Sequence, residues 1–236
     1  GQLMPVGKRI YLERELPDLE LVKEFKEIPA ANVADVMGRS CAMNPRIRLM
    51  SQPKDQITVG VALTVKARAG DNLALHAALN IAREYDFIIV SNEGDNTRAL
   101  IGMIMMSYLY QYKKIAGIVI DGPIRDIDEI KDLDFPVYAT GTTPGGPYKE
   151  GPGEVNVPIS CGEISINPGD IILADSDGII VIPKKDTEAI LIEAKKLQAT
   201  DAAKVVNSGK GTVDRSWVDN TLKAKGFEII DDVYRS

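Results

Sequence analysis

Apolar residues recur along this chain in two rhythms, one of period near 3.6 and one that runs unbroken for four to six positions. Between Ala30 and Met37, residues Val33, Val36 and Met37 fall three and four apart, which places them on one face of a helix, and Pro17 to Phe25 predicts a short helix ahead of it. Val59 to Ala67 is rich in β-branched and small residues and closes at the Gly70-Asp71 turn, as a strand does. Helical spacing returns in Asn72 to Arg83, through Leu73, His76, Ala77, Leu79 and Ile81. Asp86 to Ser91, with its centre Phe87-Ile88-Ile89-Val90, and Ile115 to Ile120 have the continuous apolar character of strands covered on both faces of a parallel sheet. Between those two runs, Ala99 to Lys113 predicts a long helix carrying Met103, Met105 and Met106. Ile127 to Leu133 predicts a short helix and Phe135 to Ala139 a strand.

Strand, helix, strand, helix, strand is the order of an open α/β unit with right-handed crossovers. The stretch from Gly141 to Gly153 breaks the pattern. Its thirteen residues include five glycines and three prolines, and a loop of that length inside a domain predicts a functional or interfacial role. Val155 to Pro183 is β-rich, with turns at Asn167-Pro168-Gly169-Asp170 and Ser176-Asp177-Gly178. Asp186 to Ala203 is a helix with Ile190, Leu191, Ala194 and Leu197 on one face. With no internal repeat and no Gly/Ser or Pro-rich linker, a single domain over residues 1–236 is expected. Its flanks are N-terminal helices (about 1–40) and a C-terminal helix and tail (about 186–236).

Composition narrows the function classes. Hydrophobic residues at 44% and charged residues at 26% are ordinary globular usage. A net charge of −6, with no basic cluster, predicts no nucleic-acid surface. The apolar runs are too short to span a bilayer, so no membrane segment is expected. The N-terminal stretch shows no secretory apolar core, and the only cysteines, Cys41 and Cys161, read as free thiols in a reducing compartment, which predicts a cytoplasmic protein. One histidine, His76, rules out a His-rich zinc site. Any metal is therefore expected to be a hard cation held by carboxylates and water, namely magnesium, manganese or calcium.

Arg125-Asp126 follows the strand Ile115–Asp121 and the turn Gly122-Pro123, and ligands of open α/β sheets collect beyond the carboxyl ends of strands. By spacing alone, the dipeptide reads as a surface arginine beside an aspartate that caps the helix containing Glu129. The longer sentence changes that reading. The chain carries Gly70-Asp71-Asn72-Leu73, then Gly94-Asp95 and Ala99-Leu100-Ile101-Gly102, then Ile120-Asp121-Gly122-Pro123-Ile124-Arg125-Asp126-Ile127-Asp128-Glu129. Val155-Asn156-Val157-Pro158, Asn167-Pro168-Gly169-Asp170 and Asp175-Ser176-Asp177-Gly178 complete it. From about Asn32 to the C-terminal helix, this succession resembles the family of 4-hydroxy-4-methyl-2-oxoglutarate aldolase and the regulator of ribonuclease activity A, the RraA-like family. The Asp-Gly-x-x-Arg-Asp-x-x-Glu stretch is its most specific part.

The resemblance implies a compact αββα-type sandwich of the swivelling β/β/α-like kind, assembled as a homotrimer or hexamer. Sites lie at subunit interfaces, and the chain's flanks pack on neighbours. It implies a divalent-metal pyruvate aldolase that also decarboxylates oxaloacetate, with Mg2+ or Mn2+ as cofactor and a small 2-oxo acid as substrate. Asp126 would be the direct metal ligand, and Arg125 would bind the substrate's keto and carboxylate oxygens. Gly102, Met103, Ile104 and Met105 would offer backbone N–H groups to the pyruvyl carboxylate, and Asp201 of a neighbouring subunit would reach the metal through water. One departure stands out. The family's enzymes carry an acid directly after the glycine, where Met103 stands here; Glu93 or Asp95 are the substitutes within reach of the sequence.

Other residues carry weaker readings. Lys66 on its strand would be a Schiff-base lysine only if buried. His76 reads as a satisfied buried histidine, the methionines as core packing, and Trp217 as an anchor of the tail on a neighbour. The glycine-rich loop lacks a Gly-Lys-Ser/Thr ending and so is not a phosphate loop, and no nucleotide fingerprint supports methyl transfer. A non-catalytic binding protein on the same scaffold is the alternative to the aldolase.

Overall fold

The computed structural model describes residues 5–235. The chain forms two compact units, Gly1–Lys195 and Lys196–Ser236.

In the first unit, α1 (Leu19–Glu24) and α2 (Ala30–Val36) precede β1 (Arg48–Leu49) and the ten-residue β2 (Thr58–Ala67). Then come α3 (Leu73–Ile81), β3 (Asp86–Ser91), α4 (Met103–Ser107), β4 (Gly117–Ile120), β5 (Pro123–Ile124), α5 (Ile127–Ile130) and β6 (Val137–Ala139). Beyond them, β7 (Gly141–Thr142) and β8 (Gly153–Val155) bracket the glycine-rich loop. The hairpins β9 (Ile159–Cys161) with β10 (Ile164–Ile166), and β11 (Ile171–Asp175) with β12 (Gly178–Ile182), lead to α6, which starts at Thr187 and ends at Gly209.

The predicted α/β order is present. The main sheet runs β1-β6-β4-β3-β2-β11-β12, with β8 also paired to β2. The four strands β6, β4, β3 and β2 are parallel, while β1, β8 and β11 join antiparallel. The continuous apolar runs are explained by burial on both faces. Ile88 and Val90 of β3 point into a cluster with Leu75 and Ala78 of α3 and Met106 of α4. Phe87 and Ile89 point into a second cluster with Ile159, Cys161 and Ile166 of the β9–β10 hairpin. A third cluster packs Phe25, Val33 and Leu191 on Val61, Ile171 and Ile180. Helices on one face and a β layer on the other give the α/β sandwich its layers.

One predicted element is shorter than its pattern. The apolar stretch Ala99–Lys113 is helical only from Met103, continuing as a π-helical turn over Tyr108–Lys113. Ala99 to Gly102 is instead irregular, with a bend at Leu100, and lies against the β4–α5 connection, Leu100 N–H donating to Pro123 O at 3.3 Å and Arg125 N–H to Ile101 O at 3.1 Å. Those tertiary hydrogen bonds replace the helical ones that apolar periodicity alone would suggest.

In the second unit, α6 continues to Gly209 and α7 covers Ser216–Ala224. Asp201 lies on α6 in this unit, and Trp217 is exposed on α7.

Candidate functional site

A cavity of about 160 Å3 opens beyond the carboxyl end of β2 and β4. Three segments make its walls: Asn72 and His76 at the start of α3, Ala99 to Met105 leading into α4, and Arg125-Asp126 after β5. Pro147 and Lys149 of the glycine-rich loop complete them. Ile104, Arg125 and Asp126 also border a larger hollow of about 700 Å3 toward Glu129 and Thr142, so the pair faces two adjoining spaces.

Asp126 takes the N-cap position of α5 that spacing suggests, but its side chain does not cap the helix. It sits at φ 64° in the left-handed region and makes no side-chain hydrogen bond to α5. Its Oδ2 instead accepts the Met103 N–H at 2.8 Å. A non-glycine residue held there costs about 1–3 kcal/mol and persists where the surroundings impose it. Gly102 is imposed by the same approach, because a Cβ there would lie 2.5 Å from Asp126 Oδ2 and 3.2 Å from Arg125 Nε. Glycine is thus the residue that lets the backbone meet the Arg125-Asp126 pair.

Arg125 is exposed, and among the described residues no carboxylate forms an ion pair with it. Of the predicted backbone donors, Met103 N–H is taken by Asp126, and its side chain packs on the apolar cluster under α4. Gly102, Ile104 and Met105 face the cavity, and Ile104 is 87% exposed.

Three cavity residues had no role assigned from sequence. Asn72, fully inside, donates from Nδ2 to Leu100 O at 2.9 Å and so ties α3 to the irregular segment, while its Oδ1 finds no hydrogen-bond partner among the described residues. His76 is half-buried rather than buried, and lines the cavity. Burial first, and then the positive charge of Lys149, hold its imidazole below the usual histidine range, so it is neutral at pH 7. Asn72 stands within the Gly70-Asp71-Asn72-Leu73 run, which was signal enough to mark it. Nothing in the sequence marks Lys149, whose loop meets α3 only through folding.

The remaining predicted residues lie elsewhere. Glu93 and Asp95 are not among the cavity walls, and Asp95 is used by its own turn, accepting from Thr97 and Arg98 N–H groups. Asp201 belongs to the second unit. Lys66 is exposed opposite Glu154 in the β2–β8 register, so the burial a Schiff-base lysine needs is missing. Cys41 and Cys161 are buried free thiols.

Among the described residues no group of three or more His, Cys, Asp or Glu side chains could hold a metal ion. A closed protein cage is therefore not available. A single carboxylate at the edge of a small cavity does suit a magnesium-like ion, which keeps several waters and commonly takes one or two carboxylates plus substrate oxygens. The donor set fits that kind of ion and no softer one.

The chain is an α/β sandwich with an arginine and an aspartate side by side beyond a parallel strand, an arrangement chemically able to receive a small anion. Residues 30–181 match the RraA-like family model, described as Aldolase/RraA, and the chain belongs to that family. It is 40% identical over 210 residues to a protein of Halalkalibacterium halodurans provisionally named 4-hydroxy-4-methyl-2-oxoglutarate aldolase, covering 89% of this chain and 94% of the relative. Among solved structures it is similar to Streptomyces coelicolor RraAS2, described as an unusual member of the RNase ES inhibitor RraA protein family. That match has TM-score 0.72 and 26% identity and covers 81% of this chain and 98% of the other. The RNA-processing inhibitor RraA from Thermus matches with TM-score 0.61 and 25% identity, covering 66% and 93%. Among the described residues no helix is long and apolar enough to cross a membrane.

Proposed function

We propose that this protein is a divalent-metal-dependent pyruvate aldolase acting on a 2-oxo acid of the 4-hydroxy-4-methyl-2-oxoglutarate type, and that it also decarboxylates oxaloacetate. The observation that carries this reading is the Arg125-Asp126 pair at the cavity wall: an arginine with no ion-pair partner among the described residues beside an aspartate in a strained backbone conformation. A planar guanidinium makes paired hydrogen bonds to a 2-oxo carboxylate, which a lysine cannot. Asp126 would hold Mg2+ or Mn2+, whose Lewis acidity supplies charge stabilisation for the reacting oxygens.

In the retro-aldol direction, the bond between C3 and C4 breaks and its electron pair passes into the pyruvate enolate. The C4 hydroxyl loses its proton as the new carbonyl forms, and C3 then takes up a proton. In oxaloacetate the same enolate forms as carbon dioxide leaves. Arg125 would stabilise the developing negative oxygen in both, since its guanidinium is positively charged at every working pH. Gly102, Ile104 and Met105 shape the wall around the pyruvyl carboxylate, and Met103 holds Asp126 through its N–H. Asp201 from another copy in a trimer or hexamer would supply the outer acid that Met103 does not. Buried, unbridged cysteines support a reducing, cytoplasmic setting.

Oxaloacetate decarboxylation, followed with added Mg2+ or Mn2+ and then with chelator, tests the reading. Turnover that rises with metal and vanishes with chelator is expected, and no turnover under any of these conditions counts against it. A second reading is favoured by one observation: the solved relatives described as RNA-processing inhibitors share the scaffold. On that reading the chain binds a partner and turns nothing over.

A further inference from the structure

The glycine-rich loop carries a second cation to the cavity, and its backbone is tied on both sides of that cation. Tyr148 N–H donates to Gly70 O and Asn72 N–H donates to Tyr148 O, both at 2.9 Å. Buried Asp71 accepts the Glu150 and Gly151 N–H groups on Oδ2, at 2.6 and 2.9 Å, and the Leu73 N–H on Oδ1 at 3.0 Å. Arg98 donates to Gly146 O at 2.9 Å and to the Tyr148 hydroxyl at 2.7 Å, with its guanidinium stacked 4.0 Å from the Tyr148 ring centroid. Lys149 therefore stands between two anchored residues, which fix its Cα at the cavity rim.

A loop pinned this tightly fixes where a lysine starts, which an ordinary solvated lysine does not need. Lys149 and Arg125 line one small cavity from different segments, with Asn72 and His76 beside them. Lys149 lies close enough to His76 for its charge to act on the imidazole. A ligand with one carboxylate satisfies Arg125 and leaves the second cation without a counter-charge. A ligand with two satisfies both.

We propose that Lys149 is the specificity-determining residue of this site, binding the distal carboxylate of a dicarboxylic 2-oxo acid while Arg125 holds the 2-oxo carboxylate end. Asp71 and Arg98 are positioning residues that hold the loop over the cavity. The proposal rests on the reading of Arg125 as substrate anchor and adds the residue that recognises the second carboxylate of the dicarboxylic acids named there. Lysine suits this end because its point charge accepts a carboxylate at varied chain lengths, where a guanidinium fork selects one geometry.

The test is calorimetric titration of the full chain with 2-oxoglutarate and with 2-oxovalerate, which has the same number of carbons and no distal carboxylate, in buffer containing manganese. Wild type is expected to bind 2-oxoglutarate about tenfold or more tightly than 2-oxovalerate, as for one charge-assisted hydrogen bond. Lys149→Met should erase the difference without weakening 2-oxovalerate, and Lys149→Arg should retain most of it. Equal affinities in wild type, a preference that survives Lys149→Met, or no binding of either acid overturns the proposal. If the dicarboxylate preference behaves as expected but oxaloacetate is not turned over, the subsite stands and the aldolase reading falls.

Discussion

Two of the arginine–aspartate pairs in the first unit differ in almost everything except composition. Arg14 and Asp86 come from distant parts of the chain and meet in the interior, with side chains 4% and 0% exposed. Asp86 also accepts the Arg83 N–H at 2.7 Å, which closes the turn before β3. Arg125 and Asp126 are neighbours in sequence, both exposed, and not ion-paired to each other. The buried pair is consumed by the fold: each charge is the other's solvent. The exposed pair is held in place but left chemically available, because Asp126 is anchored to Met103 by one oxygen and by strained backbone rather than by its neighbour's charge. Burial with a partner builds structure, and constraint without a partner builds a site.

That contrast can be broken in several ways. The largest effect expected is on stability. Arg14→Met strands the Asp86 carboxylate and should cost about 3–5 kcal/mol, read as a lower urea midpoint, while kcat/KM of the folded protein stays near wild type. Burial already raises the Asp86 carboxyl above its ordinary range despite the attraction of Arg14. A raised folded value means that protonation favours the folded state at low pH, and that this contribution fades as pH rises through that value. Without Arg14 the value moves further up. The deficit of the variant should therefore shrink as the pH is lowered, and a deficit that grows on acidification would show that Asp86 is not the group left behind.

Asp126→Asn should do the reverse. Loss of at least about 100-fold in metal-stimulated oxaloacetate turnover is expected, comparable to removing a transition-state electrostatic contact, with an unchanged thermal midpoint. Activity near wild type would remove Asp126 from the chemistry. The smallest effect is a titration. His76 is the only histidine, so its ring proton gives an unambiguous NMR signal. It should titrate below the usual histidine range and move upward in Lys149→Met, because the nearby positive charge is gone while burial remains. An unchanged titration would place Lys149 away from the cavity.

Much of this molecule was legible before any coordinates. The parallel strands announced themselves because residues covered on two faces must be apolar at every position, as in Phe87-Ile88-Ile89-Val90. The succession of motifs around Arg125-Asp126, rather than the dipeptide alone, pointed to the family the chain belongs to. Other features were decided only by tertiary structure. The stretch from Ala99 to Gly102 has helical composition but is irregular, because its backbone groups pair with Pro123 and Arg125. Asp126 reads as a helix cap and takes that position, but its carboxylate crosses to the Met103 N–H. The loop that carries Lys149 stands far from Asp71 in sequence, and the Glu150 and Gly151 N–H groups tie it to that one buried carboxylate. The physical reason is common to all three. Apolar periodicity records how much of an element is covered, and it records nothing about which distant backbone or side-chain group each polar atom will find.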